Sequence, residues 1–288
     1  MTDGTSSTVI SDDIKRRWSI SSAFLLADTP SSLVYRVTRA DGTQAVLKTL
    51  KPRGIGELPG MAFLSWRDGN GTIRLLERHD MSCLLEDAGD TTLRHYRLQH
   101  GEAASNVIVA DVLTRLHAAG SAAPSELTPL DRHFAALFKT SPDRHQPALG
   151  EPLDFARQLA SQLLATQDNV KPLHGDLHHD NIVSGGARGW LAIDPQGLIG
   201  DAAYDVANIF GNPLNALPDI INPQRIKSLI VLFSQILTCP EQKILRYAIA
   251  HAGLSICWSL EDGTPFEDSE NAHERLAFIQ IARTLLEL

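Results

Sequence analysis

Hydrophobic and polar positions divide the chain into two stretches of different character. Between residues 24 and 86, short apolar runs alternate with turn-forming residues, as in the strands of a small sheet. After residue 89, apolar positions recur every three to four residues, which is typical of amphipathic helices. The pattern predicts an α+β chain with a β-rich N-terminal lobe, residues 1–88, and a mostly helical C-terminal lobe, residues 89–288.

The first stretch contains the runs and turns of an antiparallel sheet. An Asp41-Gly42 turn separates two of its strands, and a single helix interrupts it before a second group of turn formers, residues 68–71. The expected strands are Phe24–Ala27, Leu33–Val37, Gln44–Leu50, Ile73–Glu77 and Ser82–Glu86, and the expected helix is Leu58–Trp66. The opening segment, Met1–Ser11, is rich in Ser, Thr and Asp and is expected to be a frayed tail.

The second stretch predicts a series of helices with one interruption. A Gly after the expected C-cap ends the first of them, and a Pro opens a later one, as helix termini prefer. The expected helices are Ala103–Ala119, one around Leu130 to Phe138, one around Phe155 to Leu163, one from Pro223, Pro240–Leu260 and Asn271–Leu288. Residues 181–184 and 190–194 interrupt this pattern as a hairpin.

Composition and charge exclude several classes of protein. The chain is 43% apolar, which is enough for a sizeable core, and its net charge of −8 with no basic run argues against nucleic-acid or membrane-surface binding. Its apolar runs are far shorter than the roughly 20 residues that span a membrane. With no signal-peptide core, we expect a cytoplasmic protein. The three cysteines predict neither a disulfide framework nor a Cys-based zinc site.

One motif contains the candidate catalytic and metal-binding residues. In the segment His174 to Asn181, Asp176 precedes Asn181 by five positions, and Asp194 follows after the expected hairpin, 18 positions beyond Asp176. Phosphoryl transfer from a nucleotide needs one carboxylate to accept or orient the acceptor proton. It also needs an amide oxygen and a second carboxylate to hold Mg²⁺. Protein kinases arrange the same groups as H-R-D-x-x-x-x-N followed by D-F-G.

These residues resemble those of a known family. His-Gly-Asp-Leu-His-x-x-Asn followed by Ile-Asp-Pro resembles the aminoglycoside phosphotransferase group of small-molecule kinases, and the segment Gly189 to Asp201 looks closest to its streptomycin 6-phosphotransferase and hydroxyurea phosphotransferase branch. Further matching segments are Ala27 to Val34, Leu50 to Pro52 and Arg132 to Phe138. The resemblance implies a protein-kinase-like two-lobed fold, ATP and Mg²⁺ as cofactors, and a small-molecule substrate.

A kinase also needs a lysine on its third strand and an acid that pairs with it. Lys48, in Ala45 to Lys48, matches the V-A-I-K pattern and is expected to hold the phosphates, with Lys51 as its competitor. Glu57 is the only acid between Lys51 and Trp66 and is the candidate partner, although a helix N-cap is the alternative.

The remaining nucleotide contacts are less defined by sequence. No G-x-G-x-x-G precedes Lys48, so Ser31 and Ser32 in the first hairpin turn are candidates to receive phosphate oxygens; an ordinary turn is the alternative. Glu86 and Ala88 lie where a kinase hinge offers main-chain groups to adenine.

Other residues of the motif region are interpreted as structural. His174 is expected to hydrogen-bond within its loop and Asp201 to cap a helix. Asp205 matches the Tyr-Asp-x-Ala element of the family, and the resemblance implies that it is a strut for the catalytic loop. A metal site on His178 and His179 is disfavoured because adjacent residues do not share a face of a helix or strand.

The departures from protein kinases concern regulation. Gly175 replaces the arginine of H-R-D and Pro195 the phenylalanine of D-F-G, and no A-P-E signature follows. Without that arginine, a phosphorylated activation loop lacks its charge partner. We therefore expect constitutive activity and no protein substrate.

Charge suggests the nature of the acceptor. Residues 1–88 carry 11 basic and 11 acidic side chains, so the whole charge of −8 lies in residues 89–288. A cationic aminoglycoside could pair with an acidic cluster, for which solvated loop charge is the alternative. Its members are Glu261, Asp262, Glu267, Asp268, Glu270 and Glu274. Hydroxyurea or an endogenous alcohol or sugar is the second substrate hypothesis, and a nucleotide-binding pseudokinase the third.

Overall fold

The computed structural model describes residues 10–140 and 147–286. The N-terminal lobe consists of strands β1 to β5 and helices α1 and α2. Their bounds are α1 Asp12–Arg17, β1 Ile20–Asp28, β2 Ser32–Arg39, β3 Gln44–Leu50, α2 Leu58–Arg67, β4 Leu75–His79 and β5 Ser82–Glu86. The strands form an antiparallel sheet in the order β1-β2-β3-β5-β4, with a 3₁₀ helix, Pro52–Glu57, leading into α2.

Alternation along β3 decides which of its side chains face the core. Ala45 and Leu47 are fully buried and pack against Trp18 and Tyr35 on one side of the sheet. Because side chains alternate along a strand, Lys48 points to the opposite face. In the sheet register, its neighbours are Val34 on β2 and Cys83 on β5.

The C-terminal lobe is built around a buried helix. Its helices are α3 Leu93–His100, α4 Glu102–Leu116, α5 Leu130–His133, α6 Ala135–Lys139, α7 Pro147–Ala165, α8 Leu217–Ile220, α9 Pro223–Leu237, α10 Glu241–Glu261 and α11 Glu270–Leu286. In α10 every residue from Ile244 to Cys257 except Arg246 is buried, as expected of a helix surrounded by other elements. At Gly253 a Cβ would lie 2.5 Å from the Cβ of Ala156, so this glycine allows α10 to approach α7 closely.

Short strands place the loops of this lobe. They are β6 Thr128–Pro129, β7 Val170–Leu173, β8 Ile182–Ser184, β9 Trp190–Ala192 and β10 Leu198–Asp201. Strand β10 lies between β6 and β7, and β8 and β9 form a hairpin. A second 3₁₀ helix, Ala202–Gly211, follows β10. Within residues 10–140 and 147–286, no helix is both long and apolar enough to cross a membrane.

The predicted α+β, two-lobed fold is confirmed, and the division between residues 88 and 89 stays a prediction. Several predicted elements need correction. The strand expected at Ile73 begins at Leu75, because Ile73 donates its N–H to the Ala192 carbonyl at 3.1 Å and not to the sheet. The single helix expected around Leu130 to Phe138 is two, divided at Phe134.

Some elements were not predicted. Helix α1 begins immediately after Ser11, which caps it, while residues 1–9 of the expected tail lie outside the described residues. Helix α3 follows the N-cap Thr92. Strands β6, β7 and β10 are too short to show a period of two. The last helix begins at Glu270, and residues 287–288 of its expected range are not described.

Candidate active site

The loop between β7 and β8 carries the predicted catalytic motif, and Asp205 holds its first turn. The Asp205 carboxylate is 1% exposed and accepts the backbone N–H groups of His174 at 3.2 Å and Gly175 at 2.7 Å. His117 at the end of α4 contributes its Nε2 at 2.8 Å. Burial raises the pKa of this carboxyl, but these hydrogen bonds and nearby histidines outweigh burial and lower the pKa below its ordinary value. Asp205 therefore lies where a strut for the loop is needed.

His174 is fully buried within the loop. Its Nε2 lies 2.9 Å from the Ile193 carbonyl, which can only accept, and its Nδ1 accepts the Asp176 N–H at 3.2 Å. This pair of contacts requires the neutral imidazole. Burial lowers the pKa of His174, in agreement with that neutral form. His174 thus connects the loop to the end of the β8–β9 hairpin.

Asp176 presents its carboxylate in a cage of side-chain amides. Asn181 Nδ2 donates to Oδ2 at 3.0 Å and to the Asp176 carbonyl at 2.9 Å, and Asn208 Nδ2 donates to Oδ1 at 2.7 Å. His178 Nε2 lies 3.7 Å from Oδ2. The side chain is 29% exposed, so an incoming molecule can reach it. Burial opposes ionisation, yet the neighbouring His178 lowers the pKa of Asp176 below its ordinary value.

Lys48 stands between two carboxylates that are distant in sequence. Its Nζ lies 2.7 Å from Glu57 Oε2 and also pairs with Asp194. Glu57 ends the first 3₁₀ helix and occupies the N-cap position of α2, but its side chain makes no capping hydrogen bond. Burial acts to lower the pKa of Lys48, and the two carboxylates outweigh it and raise the pKa. The amine is therefore charged.

Asn181 and Asp194 supply the kind of oxygen that binds Mg²⁺. Asn181 turns its amide nitrogen to Asp176, which leaves its carbonyl oxygen available, and Asp194 follows β9 with a left-handed φ of 55°, a conformation that Asp tolerates. Among the described residues, no group of three or more His, Cys, Asp or Glu side chains could hold a metal by itself. A carboxylate and an amide completed by substrate phosphates are the set that Mg²⁺ prefers, so these residues fit the ion.

A cavity of about 390 Å³ opens between the sheet and the β8–β9 hairpin. Its walls are mostly aliphatic, and Lys48, Glu57 and Asp194 line it together. The sequence-predicted residues Ser31, Ser32, Glu86 and Ala88 are also part of its lining. An apolar cleft with a few charged groups is the usual form of a nucleotide pocket.

The β1–β2 turn is closed by its own hydroxyl groups. Thr29 Oγ1 accepts the Ser32 N–H at 2.9 Å and lies 3.2 Å from the hydroxyls of both Ser31 and Ser32. Lys51, the competitor of Lys48, pairs with Asp28 and donates to the Thr29 carbonyl at 2.5 Å. Lys51 therefore braces this turn, while Lys48 is the lysine that pairs with Glu57 and Asp194.

The linker after β5 is fixed by arginines. Arg36 of β2 pairs with Asp87 at 2.7 Å and with Asp90 at 2.5 Å. Arg188, from the β8–β9 hairpin, pairs with Glu86, whose carboxylate also accepts the Arg74 N–H at 2.9 Å. The Glu86 side chain is thus engaged within the protein.

Other predicted residues lie apart from the cavity lining. Asp201 caps the second 3₁₀ helix by accepting the Ala203 N–H at 3.1 Å and pairs with Lys243 at 2.5 Å. His179 is fully buried, and neither ring nitrogen has a partner among the described residues. The acidic cluster lies on the turn between α10 and α11, and no hydrogen bond or ion pair joins it to Asp176 in the described part of the chain. Its members Glu261, Asp262, Glu267, Asp268 and Glu270 are exposed, whereas Glu274 is buried and accepts the Asn215 N–H at 3.2 Å.

Several residues of the site were not predicted, among them His117, Arg36, Asn208 and Arg275, which donates to Asn208 Oδ1 at 3.2 Å. Asn208 follows Asp205 by three positions on a 3₁₀ helix, which has three residues per turn. Recognising the 3₁₀ helix from the sequence would have placed Asn208 on the same helix face as Asp205, which is the face toward the catalytic loop. Nothing in the local pattern around Arg36 or Arg275 marks them.

The fold and the site define a phosphotransferase of the protein-kinase-like type that acts on small molecules. The chain belongs to the aminoglycoside/hydroxyurea antibiotic resistance kinase family, whose model matches residues 17–263. The sequence-based family assignment and the prediction of an alcohol-phosphorylating enzyme are confirmed by this match and by the curated relatives.

Three of these relatives cover most of the chain. It is 36% identical to a streptomycin 3''-kinase of Klebsiella pneumoniae over 86% of this chain and 91% of the relative. It is 29% identical to a streptomycin 6-kinase of Streptomyces glaucescens, over 88% and 83%. It is 30% identical to a hydroxyurea phosphotransferase of Kitasatospora aureofaciens, over 86% and 71%.

Solved structures share the fold at low sequence identity. A thermostable mutant of aminoglycoside phosphotransferase APH(4)-Ia superposes with a TM-score of 0.68 at 17% identity, covering 96% of this chain and 98% of that one. A choline kinase from Cryptosporidium parvum gives a TM-score of 0.66 at 14% identity, covering 96% and 95%. At these identities the likeness establishes the protein-kinase-like fold.

Proposed function

We propose that this protein transfers the γ-phosphoryl group of ATP to a hydroxyl of a cationic aminocyclitol antibiotic of the streptomycin kind. The observation that carries the proposal is the placement of Lys48, Glu57 and Asp194 together on the wall of one cavity. Two relatives that cover most of the chain are named as streptomycin kinases. We propose a cytoplasmic location, where ATP is available to the enzyme.

In this proposal one set of site residues binds the nucleotide, and another acts on the acceptor. Lys48 would bind the phosphates, and Glu57, whose Oε2 lies 2.7 Å from the Lys48 amine, would keep that amine in place. Asn181 and Asp194 would hold Mg²⁺, which neutralises phosphate charge when bound. The Glu86–Ala88 backbone would contact adenine, and Ser31 and Ser32, which line the same cavity, would contact phosphate oxygens. Asp201 and Asp205 support the loop.

Asp176 is proposed to act on the acceptor hydroxyl. Its carboxylate is ionised at neutral pH and partly exposed, so it can accept or orient the hydroxyl proton while the oxygen attacks the phosphoryl group. Asn181 and Asn208 donate one hydrogen bond to each carboxylate oxygen, which leaves further lone pairs for the substrate.

The exposed acids at the α10–α11 turn are proposed to attract the acceptor rather than to bind it directly. They carry negative charge near the C-terminal end of α10, and an electrostatic field of this kind raises the rate at which cations arrive. Glu274 is excluded from this role because it is buried.

A second kind of acceptor, hydroxyurea or a small neutral alcohol, is favoured by a separate observation. Arg275 is a buried cation that connects to Asp176 through Asn208, and positive charge near this carboxylate suits an uncharged acceptor. A hydroxyurea phosphotransferase is also among the relatives.

The test is an ATP-consumption assay over streptomycin, other aminoglycosides, hydroxyurea and simple alcohols, with mass detection of each phosphorylated product. We expect ADP formation and a product heavier by one phosphoryl group with streptomycin. Product with hydroxyurea alone supports the second acceptor. If no compound is phosphorylated although Mg-ATP binds, the catalytic proposal is wrong and a pseudokinase remains.

A further inference from the structure

Asn208 and Arg275 form a chain of hydrogen bonds that ends on the carboxylate of Asp176. Asn208 Nδ2 donates to Asp176 Oδ1 at 2.7 Å. Arg275 Nη2 donates to Asn208 Oδ1 at 3.2 Å, and Asn212 Nδ2 donates to the same oxygen at 2.8 Å. Both donors lie on elements other than the catalytic loop.

Arg275 fixes the orientation of the Asn208 amide. A guanidinium only donates hydrogen bonds, so the amide atom that faces it must be the oxygen. The NH₂ group of Asn208 is therefore turned toward Asp176. If the amide were reversed, its nitrogen would face two donors and its oxygen would face the carboxylate.

The position of Arg275 is itself specified. Its side chain is buried, with 3% of the residue exposed, and Nε donates to Asn271 Oδ1 at 3.2 Å. At Gly211 a Cβ would lie 1.2 Å from Arg275 Nη1, so the glycine provides the space. Within the described residues no carboxylate lies within ion-pair distance of this guanidinium. Burying a cation that has no ion-pair partner costs free energy, so the fold keeps Arg275 at a cost in stability.

We propose that Asn208 and Arg275 are positioning residues that orient the Asp176 carboxylate for the acceptor hydroxyl. The inference rests on the proposed function of Asp176. Asn208 holds Oδ1 from one side while Asn181 holds Oδ2 from the other, which restricts rotation of the carboxylate. Arg275 acts through Asn208: it locks the amide and polarises its N–H, which strengthens the bond to the carboxylate.

The first test separates this role from a structural one by kinetics. We expect Asn208→Leu to lower kcat by about tenfold or more, with KM for ATP unchanged within about twofold, because hydrogen bonds to charged groups contribute about 1.5–3 kcal/mol. Arg275→Met should do the same and Arg275→Lys should restore part of kcat. Since Arg275 acts through Asn208, the double variant should be no slower than Asn208→Leu. Additive losses, or unchanged kcat in a folded Asn208→Leu protein, would overturn the proposal.

The second test needs no acceptor, so it distinguishes failure of this inference from failure of the proposed function. The carboxyl of Asp176 is titrated by ¹³C NMR in wild type and variants. Groups that influence it are His174 and His178 of its loop, His133, His251 of α10 and Arg275 of α11. Asn208→Leu removes a hydrogen-bond donor to the carboxylate, and Arg275→Met removes a nearby cation. Each change favours the protonated carboxyl, so the titration midpoint of Asp176 should rise in both variants. An unmoved midpoint contradicts the inference whatever the acceptor.

Arg67 provides the matched control. It is likewise buried, 4% exposed, and it donates to backbone carbonyls, among them Ala118 at 3.2 Å. Arg67→Met removes a buried guanidinium far from the catalytic loop in sequence. It should reduce thermal stability without moving the Asp176 midpoint. A shift as large as that of Arg275→Met would show that the midpoint reports general destabilisation and would refute the inference.

Discussion

Glu57 Oε2 lies 2.7 Å from Lys48 Nζ, and this contact ties the end of a 3₁₀ helix to the central strand of the sheet. The amine keeps a second partner in Asp194. Without the charge of Glu57, the Lys48 amine pairs with Asp194 only. That pairing holds the amine away from a phosphate. We expect Glu57→Gln to raise KM for ATP about tenfold, from the worth of a charged hydrogen bond, as measured by steady-state kinetics.

Lys48 and Lys51 provide the comparison for that experiment. Lys48→Ala should raise KM for ATP at least as much as Glu57→Gln, whereas Lys51→Ala removes a brace of the β1–β2 turn and should have the smaller effect. Equal losses of ATP affinity in the two lysine variants would contradict the assignment of Lys48 to the phosphates.

Asp176→Asn keeps the shape of the side chain and removes its basicity. We expect turnover to fall by about 10² or more with nearly unchanged ATP binding, the scale of losing a general base. Turnover is measured as phosphorylated product and ATP binding by calorimetry. Asp180→Asn is the control in the same loop, because Asp180 pairs with Arg94 at 2.6 Å and does not contact Asp176 through a hydrogen bond. Full activity of Asp176→Asn would exclude this residue as the catalytic carboxylate.

Asp205→Asn tests the strut beneath the catalytic loop. Asparagine has one acceptor oxygen in place of two and would turn its NH₂ toward backbone donors, so the His174 and Gly175 N–H groups lose a partner. We expect a loss of about 3–5 kcal/mol in the free energy of unfolding, as for other broken buried ion contacts. Urea denaturation measures it. Asp111 is exposed and pairs with Arg115 at 2.7 Å. Asp111→Asn should therefore lower the free energy of unfolding by less than about 1 kcal/mol.

Two buried histidines make stability depend on pH. Tyr204 Oη lies 2.7 Å from His133 Nε2 and 2.8 Å from His251 Nδ1, and burial lowers the pKa of His133 to about 4 and of His251 to about 3. The unfolded chain, with histidine pKa near 6.5, binds more protons below that pH. Stability is therefore full above about pH 6.5 and falls as pH decreases, by up to about 1.4 kcal/mol per pH unit for each group.

Urea unfolding between pH 7 and pH 5 measures this slope, a range in which ordinary carboxyl groups remain ionised. His251→Gln removes one of the two groups and should flatten the curve. A stability that is independent of pH over this range would mean that folding does not lower the pKa of these histidines.

The exposed acids provide a prediction about the acceptor. Neutralising Glu267 and Asp268 together should raise KM for a cationic aminoglycoside a few-fold and leave kcat unchanged, because steering affects arrival more than chemistry. KM in the native protein should likewise rise with salt concentration. Identical KM values in the two proteins at low salt would remove this turn from acceptor capture.

The sequence predicted the parts of the site that depend on local pattern. Spacing alone indicated Asp176, Asn181 and Asp194 as candidates, and the V-A-I-K pattern indicated Lys48, which lines the cavity. It could not find Arg275, which is 67 residues from Asn208 along the chain and reaches it only through the packing of α11. Short elements such as β6 were missed because they form only when tertiary neighbours pair with them.

The backbone conformation and close packing at Gly175 restrict which residue can occupy this position. A glycine codon is one nucleotide change from an arginine codon, yet here φ is +81° and a Cβ would lie 2.6 Å from Leu198. An arginine side chain at this position would strain the loop and displace the β10 residue beneath it. We therefore expect that the single change Gly175→Arg cannot supply the charge partner that control by a phosphorylated loop requires.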